Sequence, residues 1–363
     1  MYNSVFNNKV VLVTGHTGFK GSWLTAWLIK LGAKVVGFSR DIPTNPSNYQ
    51  ALFLEDRIDS IFGDVCNIDQ LKNLLEVYKP NYIFHLAAQP LVRKSYEDPY
   101  ETYQSNVVGT LNILECLRFV DFDCNCVFIT SDKCYDNVEQ IYGYKENDKL
   151  GGKDPYSASK GCAELIIRSY VESFFKRKKL NIKIGIGRAG NVIGGGDWAL
   201  DRIVPDAMRA WSNSLVLEIR HPNATRPWQH VLEPLSGYLA LAESLSTTEE
   251  INGEPFNFGP SSDQNFTVSK LLNELKKYWE NSSWNDISES KFNYEAGLLK
   301  LCCDKALHVL NWKPVLFFEE NVKMTSEWYS NYLVYKNDNW DFTISQIEYY
   351  EKLALKRGIQ WAQ

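Results

Sequence analysis

The sequence predicts an α/β chain in which a doubly wound parallel sheet carries a smaller C-terminal domain. Three observations lead there. Short β-branched runs alternate with helical stretches through the first half, the pattern of βαβ units. Three glycines at three-residue spacing join the first run to the first helix. The alternation stops after about Arg188, where a second kind of organisation begins.

The elements follow in order. Residues 9–14 (KVVLVT) suit a strand buried on both faces. After the glycines, Trp23, Leu24, Trp27, Leu28 and Leu31 recur at helical spacing, and Gly32 ends that helix. Further strands are predicted at 34–39, 81–86, 126–130 and 182–186, and helices at 68–78, 100–120 and 156–177. Right-handed crossovers then give a Rossmann-type sheet. Beyond it, a glycine-rich loop at 191–197 leads to helices near 202–211, 232–245, 268–279 and 319–335, with a strand at 256–259. With no linker or repeat in view, the second half is expected to pack on the first.

Composition excludes several classes. The 363 residues are 44% hydrophobic and 23% charged, enough for a buried core. A net charge of −5 gives no basic footprint for nucleic acid. No apolar run approaches the roughly 20 residues of a membrane span. The opening residues, Met1 to Asn8, carry no secretory pattern. The eight cysteines form no CxxC pair, and the five histidines do not cluster with them. Reduced thiols in a cytoplasmic protein without a metal site are therefore expected.

Three motifs carry chemistry. The turn Gly15-His-Thr-Gly18-Phe-Lys-Gly21 lies between a strand and a helix. Glycines there let the backbone approach a pyrophosphate, and the helix N-terminus supplies N–H donors. At the end of the second strand, Asp41 suits a ribose of NAD, whereas Arg40 could meet a 2′-phosphate. The segment leaves NAD and NADP both open. Asp64, after Gly63, could face adenine or simply close a turn.

The second motif is Tyr156-Ser-Ala-Ser-Lys160, which puts a phenol and an amine on one helix face. A neighbouring ammonium would pull the phenol below its usual pKa of about 10. The third is Thr130-Ser131-Asp132-Lys133, at the C-terminal end of a strand, where such sheets place their chemistry. An acid and an amine side by side exceed what alcohol oxidation requires.

His85-Leu-Ala-Ala88, Asn106, Ser131, Tyr156 and Lys160, with the glycine turn, resemble the extended short-chain dehydrogenase/reductase family. Longer strings resemble its nucleotide-sugar 4,6-dehydratases: HTGFKGSW from His16, AAQPLVRKSY from Ala87, TSDKCYDN from Thr130, GGKDPYSASKGCAE from Gly151, GNVIGGGDWALDRIVPD from Gly190 and RPWQHVLEPLSGYL from Arg226. They run in order along nearly the whole chain.

The resemblance implies a redox-neutral dehydration of CDP-glucose to CDP-4-keto-6-deoxyglucose with bound NAD. Tyr156 takes the 4-hydroxyl proton, helped by Ser131 and Lys160. Asp132 becomes the acid for the departing 6-hydroxyl. Relatives carry Glu after this Asp; Lys133 stands there instead, so the C5 base is open between Lys133 and another group. The cofactor set it implies begins with Gly15, Thr17, Gly18, Phe19 and Gly21. It continues with Arg40, Asp64 and Val65, and ends with Leu86, Ala87, Ala88, Gln89 and Asn106 beside Tyr156 and Lys160. Asn191, Arg226 and Arg202 are assigned to the substrate, with guanidinium suited to phosphate. Trp198 and Trp228 could face the nucleotide but, as large aromatics, are read as core; His230 is read as packed and His85 as a backbone-orienting group.

On this reading residues 1–188 form the NAD-binding domain, with a return segment near 221–258, and residues 189–363 mainly bind substrate. The resemblance also implies a homodimer packed through the helices at 100–120 and 156–177, with Leu111, Leu114, Leu117, Leu165, Ile166 and Ile167 offering apolar surface. Two rivals remain: a nucleotide-sugar 4-epimerase, which needs no elimination acid, and a nicotinamide-binding protein without turnover.

Overall fold

The computed structural model describes residues 1–177, 182–280, 282–288 and 298–363. Strand β1 (Val10–Thr14) runs through the glycine turn into α1 (Phe19–Lys30), then β2 (Lys34–Ser39) and β3 (Asp59–Phe62). Helix α2 (Ile68–Tyr78) leads to β4 (Tyr82–His85). Next come α3 (Pro99–Tyr103), a π-helical turn (Gln104–Val108) and α4 (Gly109–Leu117). Strand β5 (Cys124–Ile129), helix α5 (Pro155–Ser173) and β6 (Ile182–Ala189) complete the first half. The second half supplies α6 (Ile203–Ser212), α7 (Leu232–Thr247), β7 (Pro255–Phe258), α8 (Val268–Leu275), α9 (Phe318–Ser330) and α10 (Asn339–Lys356).

The seven strands form one parallel sheet in the order β7-β6-β5-β4-β1-β2-β3. The order reverses direction at β1, so the C-terminal ends of β1 and β4 open the crevice that such sheets use for ligands. Alternation along β1 sends Val11 and Val13 into one core and Leu12 into the other. Helices α2, α4 and α5 cover the Leu12 face; α1, α7, α9 and α10 cover the opposite one. Strand β7 comes from the second half yet closes the sheet beside β6. Its Pro255 sits at the start of an edge strand, where a missing N–H is tolerated. Helix α7 lies close on β6, because Gly185 and Gly187 leave room for Leu241 and Tyr238.

The sequence reading differs from the structure in several places, strand β3 among them. The helix expected at 100–120 is interrupted by the π turn, an inserted residue that periodicity does not reveal. Leu114, Leu117 and Ile167 are not surface for a partner: all three are buried against the sheet, while Leu165 is 56% exposed. The last helix, α10, was not anticipated. It docks on α1, where Trp27 Nε1 donates to Glu351 at 2.9 Å and Lys30 pairs with the same carboxylate at 2.7 Å.

Candidate active site

The glycine turn is shaped by what it lacks. Gly15 has φ +76° and packs so tightly on the β4 exit that a Cβ would sit 2.8 Å from Ala87 N. At Gly21 a Cβ would lie 2.1 Å from Gly15 O. Gly18 is the N-cap of α1, and no side chain caps that end. Thr17 Oγ1 donates to the Asp41 carbonyl at 2.7 Å, tying the turn to the end of β2. Phe19 packs towards Gly194 of the second half. His16, unassigned from sequence, fills the space left by Gly37; its Nδ1 and Nε2 lie 2.8 and 2.7 Å from the hydroxyls of Ser39 and Ser60. Burial lowers it to about 4, so it is neutral.

Further along this edge, Arg40 is bound by Glu101 at 2.9 Å and Asp41 at 3.2 Å, so both candidates for the ribose end belong to one surface ion-pair group. Asp64 Oδ1 accepts from Cys66 N at 2.9 Å, the turn-closing role. Val65 is buried, and its carbonyl accepts from Asn112 Nδ2.

The β4 exit, Leu86 to Gln89, is fastened from two sides. Thr14 Oγ1 lies 2.7 Å from His85 Nδ1 and accepts from Ala87 N at 3.2 Å. His85 is buried and lowered to about 3, which leaves it neutral and structural. From the other side the π turn presents Asn106. Its Oδ1 accepts from Gln89 N at 2.8 Å, and its Nδ2 donates to Gln89 O at 3.1 Å and Ser159 Oγ at 2.9 Å. Asn106 thus links the loop beside Ala88 directly to the helix that bears Tyr156 and Lys160.

The acid–base corner forms where β5 ends and α5 begins. Asp154 caps α5 by accepting from Ser157 N, and Pro155 occupies its first turn. Ser131, Asp132, Tyr156 and Lys160 are all buried. Ser131 Oγ donates to Asp132 Oδ1 at 2.9 Å and accepts from Lys133 N at 3.2 Å. Asp132 Oδ2 has no partner. Burial raises the Asp132 carboxyl; the Lys133 charge, the Ser131 hydroxyl, Lys20 and Arg226 pull it back in part.

The expected depression of Tyr156 is corrected here. Burial drives its phenol up to about 12; the Ser131 hydroxyl and the Arg202 charge oppose that without winning. The Lys160 amine points instead to the Ile129 carbonyl at 3.4 Å, and burial lowers it to about 8. One turn on, Glu164 accepts from Thr130 Oγ1 at 2.6 Å and pairs with buried Arg188, which also donates to Tyr135 OH at 2.6 Å. This buried pair fixes the strand ends from behind.

Lys20 is the residue that sequence reasoning missed. It sits in the first turn of α1, lowered to about 8 by burial, with Arg202 and Lys160 adding to the effect while Asp132 and Asp197 oppose it. Its place inside the glycine motif was the available signal.

The second half reaches in with two arginines. Arg202 pairs with Asp197 at 2.8 Å, and its charge acts on Tyr156 and Lys20. Arg226 donates to Thr225 O at 2.8 Å, and its charge reaches Asp132. Asn191 is half-buried just past β6. Trp198 and Trp228 are buried. His230 packs edge-on against Trp23. At the surface, Arg93 of the first half pairs with Asp201 of the second at 2.5 Å. The geometry thus joins a tight glycine turn at the start of α1 to a buried acid, a phenol and amines. Among the described residues no cluster suits a metal, and no helix is long and apolar enough to cross a membrane.

Comparison with known proteins agrees with this arrangement. The profile of the GDP-mannose 4,6 dehydratase family matches residues 12–325. The CDP-glucose 4,6-dehydratase of Salmonella typhimurium is 45% identical, over 90% of this chain and 92% of its own. Among solved structures, the dTDP-glucose 4,6-dehydratase DesIV of Streptomyces venezuelae superposes with TM-score 0.75 at 21% identity, covering 89% of this chain and 97% of its own. The UDP-glucuronic acid 4-epimerase of Bacillus cereus gives 0.76 at 24%, covering 89% and 99%; at these identities the likeness is one of fold. The sequence match extends through both halves of the molecule, and the chain belongs to the GDP-mannose 4,6 dehydratase family, within the extended short-chain dehydrogenases/reductases.

Proposed function

We propose that the protein removes water from CDP-glucose, giving CDP-4-keto-6-deoxyglucose, with NAD held at the glycine turn. One observation carries the reading. Asp132, a buried acid with an unpartnered oxygen, stands in the same corner as Tyr156 and Lys160. Oxidation and return of a hydride need the tyrosine and lysine; only elimination needs the acid. The Salmonella typhimurium relative supports the choice of substrate.

The turn fits a dinucleotide. Gly15 and Gly21 let the turn close tightly on itself and on the β4 exit, where a Cβ on either would clash with backbone, and the start of α1 has no side-chain cap. When bound, NAD supplies a hydride acceptor and donor, so C4 is oxidised and C6 reduced with no net redox change. Gly15, Thr17, Gly18, Phe19 and Gly21 cradle the phosphates. Arg40, Asp64 and Val65 border the adenosine end. Leu86, Ala87, Ala88, Gln89 and Asn106 border the nicotinamide end with Tyr156 and Lys160.

Tyr156 takes the 4-hydroxyl proton as the phenolate, reached once the phenol has given its own proton to solvent; the Ser131 hydroxyl and Arg202 favour that form against burial. Asp132, kept protonatable by burial, gives its proton to the 6-hydroxyl as the C6–O bond breaks. The C5 proton, made acidic by the 4-ketone, goes to a base that stays open between Lys133 and another group. Asn191, Arg202 and Arg226 hold the diphosphate sugar. Residues 1–188 with the 221–258 return form the cofactor half, and 189–363 the substrate half.

The enzyme is a homodimer across the outer face of α3 and α5. Tyr103 lies close enough to Cys162 for the thiol to influence it, and exposed Leu165 follows at helical spacing. Eight unpaired thiols support a reducing cytoplasm.

The test is incubation with NAD and CDP-, dTDP-, GDP- or UDP-glucose, followed by mass analysis. The expected product is a CDP-hexose lighter by one water. A 4-epimer of unchanged mass, or no product from any sugar, would overturn the reading.

A further inference from the structure

Two buried polar atoms near the ends of β5 and β6 lack a hydrogen-bond partner. One is Asp132 Oδ2; the other is the hydroxyl of Tyr238, on α7, whose residue is fully buried. A buried polar group left unpaired costs about 1–3 kcal/mol, so two at one end of the sheet call for a reason.

Tyr238 is placed with care. Its ring lies over β6 at Gly187, where a Cβ would come within 2.7 Å of Cε1, and it packs edge-on against Phe258 at 5.6 Å. Gly187 is opposite Ile129 in the sheet register, and its carbonyl accepts from Thr130 N at 2.9 Å. The ring therefore sits beneath the strand end that continues into Ser131 and Asp132. Negative charge on Tyr156 or Asp132 is felt at the Tyr238 phenol and raises it, after burial, the larger cause. Asp132 Oδ2 in turn faces Gly190, where a Cβ would come within 2.8 Å of it. Ser131 already donates to Oδ1, so the transferable proton belongs on Oδ2.

We propose that Tyr238 is a positioning residue for the elimination: through one bridging water its hydroxyl donates to Asp132 Oδ2 and steadies the carboxylate that forms as the proton leaves. The inference rests on the dehydratase reading above. In the step concerned the Asp132 O–H bond breaks and its proton goes to the sugar 6-hydroxyl. The C6–O bond breaks and water departs. The C5–H electrons form the C5=C6 double bond while the C5 proton goes to the base. Negative charge grows on Asp132 only during this step, so a donor aimed at it favours the transition state over the ground state. Oxidation at C4 moves no charge onto Asp132 and gains nothing from the phenol.

The test uses the full chain with NAD and CDP-glucose. Tyr238→Phe keeps the ring that fills the space over Gly187 and removes only the hydroxyl. Oxidation at C4 and KM are expected to stay as in the wild type. Elimination is expected to slow about tenfold, so reduced-nicotinamide absorbance builds up during turnover. In an Asp132→Asn background the same change is expected to cost nothing further, the signature of coupled groups. Unchanged turnover, equal slowing of oxidation and elimination, additive losses in the double variant, or failure of Tyr238→Phe to fold would each overturn the proposal. If the wild type itself yields no dehydrated product, the dehydratase reading fails instead, a distinct result.

Discussion

The glycine cradle and the acid–base corner are built on opposite principles. Around Gly15 and Gly21 the backbone segments close to distances that leave no room for a methyl group. Function there depends on missing atoms. At the end of β5, Asp132, Tyr156 and Lys160 are buried side chains whose proton affinities are displaced by desolvation. Function there depends on atoms whose charge is costly to bury. The first region should be sensitive to volume and indifferent to charge, and the second the reverse.

The largest effect expected from that contrast is at Gly21. Gly21→Ala forces a Cβ to within 2.1 Å of Gly15 O, so the turn must open. NAD binding should weaken by about a thousandfold or more, a loss of about 4 kcal/mol. Gly18→Ala places its Cβ 3.3 Å from the same oxygen and should weaken binding by only about tenfold. Fluorescence titration with NAD measures both. Equal losses would break the claim that close approach governs the cradle.

Asp132→Asn comes next. It conserves shape and removes the transferable proton. Elimination should fall by about a hundredfold or more, while C4 oxidation, seen in a single turnover, continues. Because burial disfavours the carboxylate, the unfolding midpoint should stay level or rise. A variant that melts well below the wild type would show that Asp132 holds the fold rather than the chemistry.

These regions were not equally legible in the sequence. The turn and the Tyr156–Lys160 spacing are local patterns, so seven and five consecutive residues were enough to find them. The strand ends could be placed because apolar β-branched runs mark buried parallel strands. What escaped was set by distant partners. Lys20 looks like an ordinary helical lysine until the crossovers bring Asp132, Lys160, Asp197 and Arg202 around it. Spacing alone argued for an acidic Tyr156; burial reversed the direction, and burial is a property of the whole fold. The buried pairing of Glu164 with Arg188 likewise joins α5 to the end of β6, a contact that neither segment announces. The π turn that presents Asn106 keeps the composition of the helix around it, and α10 declared itself only through Glu351 meeting Trp27 and Lys30.

The smallest effect separates charge from volume within the cradle itself, because Lys20 belongs to both regions. Its amine is at about 8 in the folded protein against an ordinary 10.5. Between those values the unfolded chain binds more protons than the native one, so stability rises with pH across that window. Below pH 8 the cost of burying the charged form is present in full. Lys20→Met, which keeps length and removes charge, should therefore stabilise the protein by about 1–3 kcal/mol at pH 7. The advantage should shrink as pH climbs through 8 towards 10, where the wild-type amine is neutral in the fold. Lys160, also lowered to about 8, remains in both proteins, so its own burial cancels and only its repulsion of the Lys20 charge is removed with that charge. Urea melts of the two proteins at pH 7 and pH 10 supply the comparison. A stability gap of the same size at both pH values would mean that the variant acts through packing alone, and Lys20 would then belong with the glycines on the volume side of the divide.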